Sequence, residues 1–145
     1  MSHASVVDGL AHVGIAVRSL NEAIPRWTDG LGFRLVDTLT LDSMGLKIAF
    51  LTAGDVTLEL LESIRPDSAI GSFLAKRGEG IHHLSFFVSD IEAALIRASE
   101  AGLELIDRTP REGSHESRIA FLHPRSLGGV LIEFCERRPT TRRVS

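Results

Sequence analysis

The sequence has a single cysteine, Cys135, so no disulfide can form within the chain. It has no excess of basic charge. Its 16 Lys and Arg stand against 19 Asp and Glu, a net charge of −3, which leaves no field for gathering a polyanion and argues against nucleic acid as the main partner. No run of about 18 apolar residues is present, so no membrane-spanning helix is expected, and the first residues carry no basic-plus-apolar targeting segment. These absences together point to a cytoplasmic setting. The one cationic cluster, Arg137, Arg138, Arg142 and Arg143, falls at the end of the chain and reads as a solvated basic tail over 137–145.

What is there is a chain of 145 residues, 43% hydrophobic, enough for one ordinary domain over 8–136. That domain is internally repeated. Ala11-His12-Val13-Gly14-Ile15-Ala16-Val17 matches His82-His83-Leu84-Ser85-Phe86-Phe87-Val88, each an alternating strand pattern with a histidine near its start. A helix follows in each half. Ser19 and Glu22 form a capping box ahead of Leu20, Ala23, Ile24, Trp27 and Leu31, Asp90 caps Ile91, Ala94, Leu95 and Ala98, and Gly32 and Gly102 close the two runs. Pro25 within the first run predicts a kink or a late start. Strands are then expected at 33–38 and 103–109. Ile48-Ala49-Phe50-Leu51 recurs as Ile119-Ala120-Phe121-Leu122, and Gly54-Asp55-Val56-Thr57-Leu58-Glu59-Leu60 as Gly128-Gly129-Val130-Leu131-Ile132-Glu133-Phe134. Each module, 10–62 and 81–136, therefore reads β-α-β-β-β. Residues 63–80 read as a linker with one or two helical turns.

Strand alternation sorts the polar residues by face. Ala11, Val13, Ile15 and Val17 form a bulky helix-facing side, which leaves His12, Gly14 and Ala16 on a small, open one. By the same parity His83 aligns with His12, and Glu59 and Glu133 oppose the core residues Val56, Leu58, Leu60, Val130, Ile132 and Phe134. Glu62 and Glu136, three residues further on, fall on the other face and read as solvated strand ends. Singly, a strand histidine or glutamate has an ordinary structural explanation. The recurrence of His then Glu at equivalent places favours a shared purpose. If the modules pack side by side, two neutral imidazoles and two carboxylates suit Co²⁺, Ni²⁺, Zn²⁺, Mn²⁺ or Mg²⁺.

The segments Lys76-Arg77-Gly78-Glu79-Gly80-Ile81-His82-His83, Asp90-Ile91-Glu92-Ala93-Ala94-Leu95 and 120–133 resemble the vicinal oxygen chelate (glyoxalase/bleomycin resistance/dioxygenase) superfamily, most closely its methylmalonyl-CoA epimerases. The resemblance covers nearly all of 10–134. It implies an α+β fold in which tandem β-α-β-β-β modules form a cupped, barrel-like, eight-stranded mixed sheet. It also implies a homodimer and one divalent metal ion per chain, held by His12, Glu59, His83 and Glu133. The implied reaction inverts C2 of methylmalonyl-CoA or a close acyl-CoA through a metal-stabilised enolate.

Where the family carries a catalytic loop glutamate, this chain has Ser43, with Asp42 one residue upstream, a shift that on a strand reverses the side chain's direction. Asp42 and Glu133 are therefore the candidate proton-transfer groups. Ser43 and His115, the latter in a Gly-Ser-His segment similar to one in the family, are candidates for lining the substrate. A glyoxalase-like lyase acting on a thiol adduct, or a non-catalytic small-molecule binder, would use the same scaffold.

Overall fold

The computed structural model describes residues 6–137. Arg138, Arg142 and Arg143 of the expected tail lie outside them, while Arg137 is the last residue of a strand. The chain divides into two compact units, residues 12–83 and residues 6–11 with 84–137.

The first unit contains β1 (Val7–Ala16) from His12 onward, α1 (Leu20–Leu31), β2 (Arg34–Leu41), β3 (Leu46–Ala53), β4 (Val56–Ser63), α2 (Ala69–Arg77) and the start of β5 (Gly80–Val88). Its strand order is β2-β3-β4-β1, antiparallel except that β1 runs parallel to β4. Val13, Ile15 and Val17 pack with Leu58 and Leu60 beneath Leu20, Ala23, Ile24 and Trp27 of α1, as alternation requires. The opposite face is not open throughout. Ala16, Leu46, Ile48, Phe50 and Leu61 are covered by Ile70, Phe73 and Leu74 of α2, so the expected linker supplies a packed helix. The strand parity holds along β4, although Val56, at its edge, is exposed.

Pro25 does not delay α1. The helix starts at Leu20, where the Ser19 hydroxyl accepts from the Glu22 N–H at 3.2 Å and the Glu62 carboxylate accepts from the Leu20 N–H at 2.8 Å. Two amide groups of the first turn are thus satisfied by side chains, and the proline forfeits a single later bond. Glu62 is therefore a helix cap and not a solvated strand end. Gly32 closes the helix at φ 80°, in the left-handed region open to glycine.

The second unit contains the rest of β5, α3 (Ile91–Glu100), β6 (Arg111–Glu112), β7 (Ser117–Leu122) and β8 (Ile132–Arg137), ordered β5-β8-β7-β6. Here too one pair, β5 and β8, is parallel and the others are antiparallel. Val88, Ala120, Leu122 and Phe134 pack under Ile91, Ala94, Leu95 and Ala98 of α3. Asp90 caps α3, and Glu136 repeats the part of Glu62, accepting from the Ile91 N–H at 2.9 Å. Arg118 joins Glu136 and Glu92 through contacts of 2.8 and 2.7 Å.

The strand expected at 103–109 is not formed. The segment still lies along β7, with one isolated bridge from Leu105 to Leu122 and backbone bonds from the His123 N–H to the Glu104 carbonyl at 2.8 Å and from the Ile106 N–H to the Phe121 carbonyl at 2.9 Å. The Phe121 N–H, however, goes to the Asp107 carboxylate at 2.8 Å, so a side chain takes one bond of the ladder. The strand that pairs with β7 on the edge away from β8 is the two-residue β6. Val130, expected to face the core, is exposed ahead of β8. The α+β class and the repeated β-α-β-β-β order are those expected from the sequence, with eight strands and three α-helices among the described residues.

Candidate metal centre

Three of the four expected ligands meet within the first unit. His12 on β1, Glu59 on β4 and His83 on β5 are 8%, 8% and 5% exposed, and each offers a ligand atom within 4.8 Å of the others. The parallel register sets Gly14 beside Glu59, two residues along from His12. The Nε2 atoms of His12 and His83 lie 2.9 Å apart, and His12 Nδ1 lies 3.1 Å from Glu59 Oε2. Burial lowers the His12 pKa to about 4. Burial, reinforced by the charges that His12 and His82 would carry, lowers that of His83 well below its ordinary value. Both rings are therefore neutral near pH 7, the form that presents a lone pair to a cation.

Gly14 is a condition of this arrangement. A Cβ there would sit 2.2 Å from His83 Cε1 and 2.5 Å from its Nδ1, so the ring occupies the space that any other residue would need. On its far side His83 Nδ1 lies 3.0 Å from His82 Nδ1, and the His82 ring meets Phe73 edge-on. Two buried imidazoles and a buried carboxylate, converging at this spacing, fit a divalent ion of hard or borderline character. A ligand imidazole is usually oriented by an outer group at its second nitrogen, and here the neighbour at that nitrogen is His82. By strand parity His82 falls opposite the ligand face, and alternation gives no sign that this adjacent ring reaches His83.

Glu133 lies in the second unit. It is 5% exposed on β8, opposite Phe121 and in register with Ser85. Burial raises its pKa to about 7. The neighbouring Ser85 hydroxyl and the Arg111 charge pull it down, and Asp107 pushes it up.

Asp42 and Ser43 form a single 3₁₀ turn (Asp42–Met44) and do not lie on a strand, so the expected reversal of direction between neighbours does not apply. The turn is pinned by Arg65, whose guanidinium donates to the Asp42 and Ser43 carbonyls at 2.8 and 3.2 Å. His115 is exposed, with φ 54°, in the loop between β6 and β7, and Glu116 after it has φ 59°.

The family described as Glyoxalase/Bleomycin resistance protein/Dioxygenase superfamily matches residues 11–121. The uncharacterized protein YqjC of Bacillus subtilis is 39% identical over 127 residues, which span 88% of this chain and 91% of that one. The crystal structure of methylmalonyl-CoA epimerase from Mycobacterium tuberculosis superposes with a TM-score of 0.89 at 41% identity, covering 96% of this chain and 94% of that one. A variant methylmalonyl-CoA epimerase of Streptomyces coelicolor, in complex with 2-nitronate-propionyl-CoA, superposes at 0.84 with 35% identity, covering 90% of this chain and 95% of that one.

Proposed function

Since the chain belongs to the glyoxalase/bleomycin resistance protein/dioxygenase superfamily, we propose that it is a metal-dependent epimerase that inverts C2 of methylmalonyl-CoA or a close 2-substituted acyl-CoA. The observation that carries this reading is the convergence of His12, Glu59 and His83 in a buried cluster, in a chain whose relatives act on such thioesters by name. His12, Glu59 and His83, with Glu133 as the fourth ligand implied by the repeat, would hold one divalent ion, Co, Ni, Zn, Mn or Mg. When bound, that ion would supply Lewis-acid stabilisation of the negative charge that develops on the thioester oxygen as the C2 proton leaves.

Inversion needs a group to remove the C2 proton and another to return one from the opposite side. We assign these parts to Glu133 and Asp42. Glu133 would serve by leaving the ion transiently, its buried carboxyl, raised to about 7 in the metal-free chain, then able to exchange a proton near neutrality. Asp42 is presented by a turn whose carbonyls are fixed by Arg65, which holds its backbone in one place. Ser43 and His115 are assigned to contact the substrate, and the assembly is taken to be a homodimer. Light scattering of the purified protein tests the last point.

The reaction is tested by C2 proton exchange of methylmalonyl-CoA in deuterated water. The metal-loaded protein is expected to catalyse exchange, and Asp42→Asn to slow it by about 100-fold, the scale of a lost general acid or base. No exchange by the wild-type protein overturns the reading, and unchanged exchange in the variant removes Asp42 from it.

A further inference from the structure

A chain of net charge −3 does not draw a polyanion by its overall field, so a substrate carrying several phosphate charges must be held by local cations. The second unit carries two on the face that Glu133 occupies. There Ala11, Ile119 and Cys135 form a small apolar floor with Phe87 and Phe121 packed against it, and Phe121 lies directly across the ladder from Glu133. The Arg111 guanidinium stands over the Phe121 ring, 5.6 Å from its centroid, and the Arg137 guanidinium over the Phe87 ring at 4.1 Å. Both arginines are exposed.

Their spacing follows from the register. Arg111 pairs with Ile119 and Arg137 with Ser117, so the two lie two strands apart and two residues out of step, a Cα separation of about 12 Å. Their guanidiniums rest over Phe121 and Phe87, which are also two strands apart and two residues out of step, so an anion held by both must reach from one head to the other, as the two phosphoryl groups of a diphosphate do. An aromatic pedestal fixes the plane of each guanidinium and leaves its N–H edge outward, the form suited to bidentate contact with phosphoryl oxygens. Asp107 approaches Arg111 Nε at 3.4 Å, and one carboxylate there cannot engage all five of the donors. Other arginines of this unit are differently employed, Arg118 holding Glu92 and Glu136 and Arg125 holding Glu104. In the first unit Arg26 meets Glu79 beside a cleft lined by Trp27 and Ile15, on the α1 side of the sheet and away from the ligand face.

We propose that Arg111 and Arg137 grip the diphosphate of the coenzyme A thioester and so deliver its acyl end beside Glu133. This rests on the acyl-CoA reading above, and the test separates the two. Free coenzyme A and pantetheine are titrated calorimetrically into wild type, Arg111→Gln, Arg137→Gln and the corresponding Arg→Lys variants. Turnover is measured on methylmalonyl-CoA and on the methylmalonyl thioester of pantetheine. Each Gln variant is expected to weaken coenzyme A binding by about tenfold. It should also lower, by a similar factor, the ratio of kcat/KM for the coenzyme A thioester to that for the pantetheine thioester. The ratio cancels any effect that Arg111 has on Glu133 itself. Lys variants should recover part of the binding, which a merely structural part for the stacked rings does not predict. Coenzyme A bound equally by wild type and both Gln variants overturns the proposal, as does wild type that prefers coenzyme A no more than pantetheine. Arginine-dependent coenzyme A binding without C2 exchange would leave the anion grip standing and remove the epimerase reading.

Discussion

Replacing Gly14 with alanine tests whether His83 is held where the centre needs it. The new Cβ would lie 2.2 Å from His83 Cε1 and within 2.8 Å of Nε2, against an ordinary carbon contact of about 3.5 Å, so something must move by more than about 1 Å. The strand cannot readily give way. β1 is laddered to β4 through Val13↔Leu58, Gly14↔Glu59 and Ile15↔Leu60, with Ala16 and Leu60 wholly buried. The ring must therefore swing away from His12 Nε2, now 2.9 Å distant. Overpacking of this kind costs about 1–3 kcal/mol, and a displaced ligand costs about 10–100-fold in metal affinity. Calorimetric titration with Co²⁺ and thermal melts of the metal-free protein measure both. Adding His83→Ala to Gly14→Ala should restore most of the lost stability, because the ring that clashes is gone. A Gly14→Ala protein that binds Co²⁺ within twofold of wild type and melts at the same temperature refutes the steric reasoning.

Other outcomes follow from the same residues. Glu133→Gln removes a carboxyl whose folded pKa, about 7, lies above the unfolded value of about 4.5. The wild-type carboxyl therefore destabilises the metal-free fold above pH 7, and that penalty fades as pH falls towards 4.5. The variant should gain up to about 3 kcal/mol at pH 8 and nothing at pH 4, read by urea unfolding at each pH. His12 has the opposite sign. Its pKa is lowered to about 4, so the unfolded chain takes up the proton first, and wild type should lose up to about 3 kcal/mol between pH 6.5 and 4 that His12→Asn does not lose. Saturating Co²⁺ at a hundredfold excess over its Kd should raise stability by about 2.7 kcal/mol, reversed by a chelator, and a melt insensitive to both argues against the centre. Glu62→Gln and Glu136→Gln should each cost about 1 kcal/mol in denaturant unfolding while leaving Co²⁺ affinity unchanged, because they cap helices on the face away from the ligands.

Most of the architecture was legible because it is written twice. His12 with Glu59 and His83 with Glu133 recur at the same points of alternating strands, and parity alone assigns them to the face opposite Leu58, Leu60 and Phe134. What parity could not reach were contacts made by side chains across or instead of the backbone ladder. Asp107 takes the Phe121 amide with its side chain, and the pairing expected over 103–109 is reduced to one bridge and a few backbone bonds. Residues 63–80 looked like a linker because Gly71 and Gly78 dilute the apolar pattern. Yet Ser68 caps a helix whose Ile70 is buried, and a Cβ on Gly71 would meet the Pro66 carbonyl at 2.7 Å. The approach of His82 to His83 joins two sequence neighbours, which alternation treats as pointing apart.

The two glutamates of each last strand explain why the repeat keeps them three residues apart. An odd spacing sends Glu59 and Glu62, or Glu133 and Glu136, to opposite faces, so one strand ties down the helix on one side and presents a carboxylate on the other. The two demands are met by one element. The halves differ elsewhere. Ile48 and Ile119 are equivalent in the repeat, and their cross-strand partners are Leu39 and Arg111. At one and the same sheet position the first half thus places an aliphatic side chain and the second a stacked guanidinium. What both halves need is duplicated. A cation at a position where the other half manages without one must answer to something only the second half meets, and a ligand with one anionic end is such a thing.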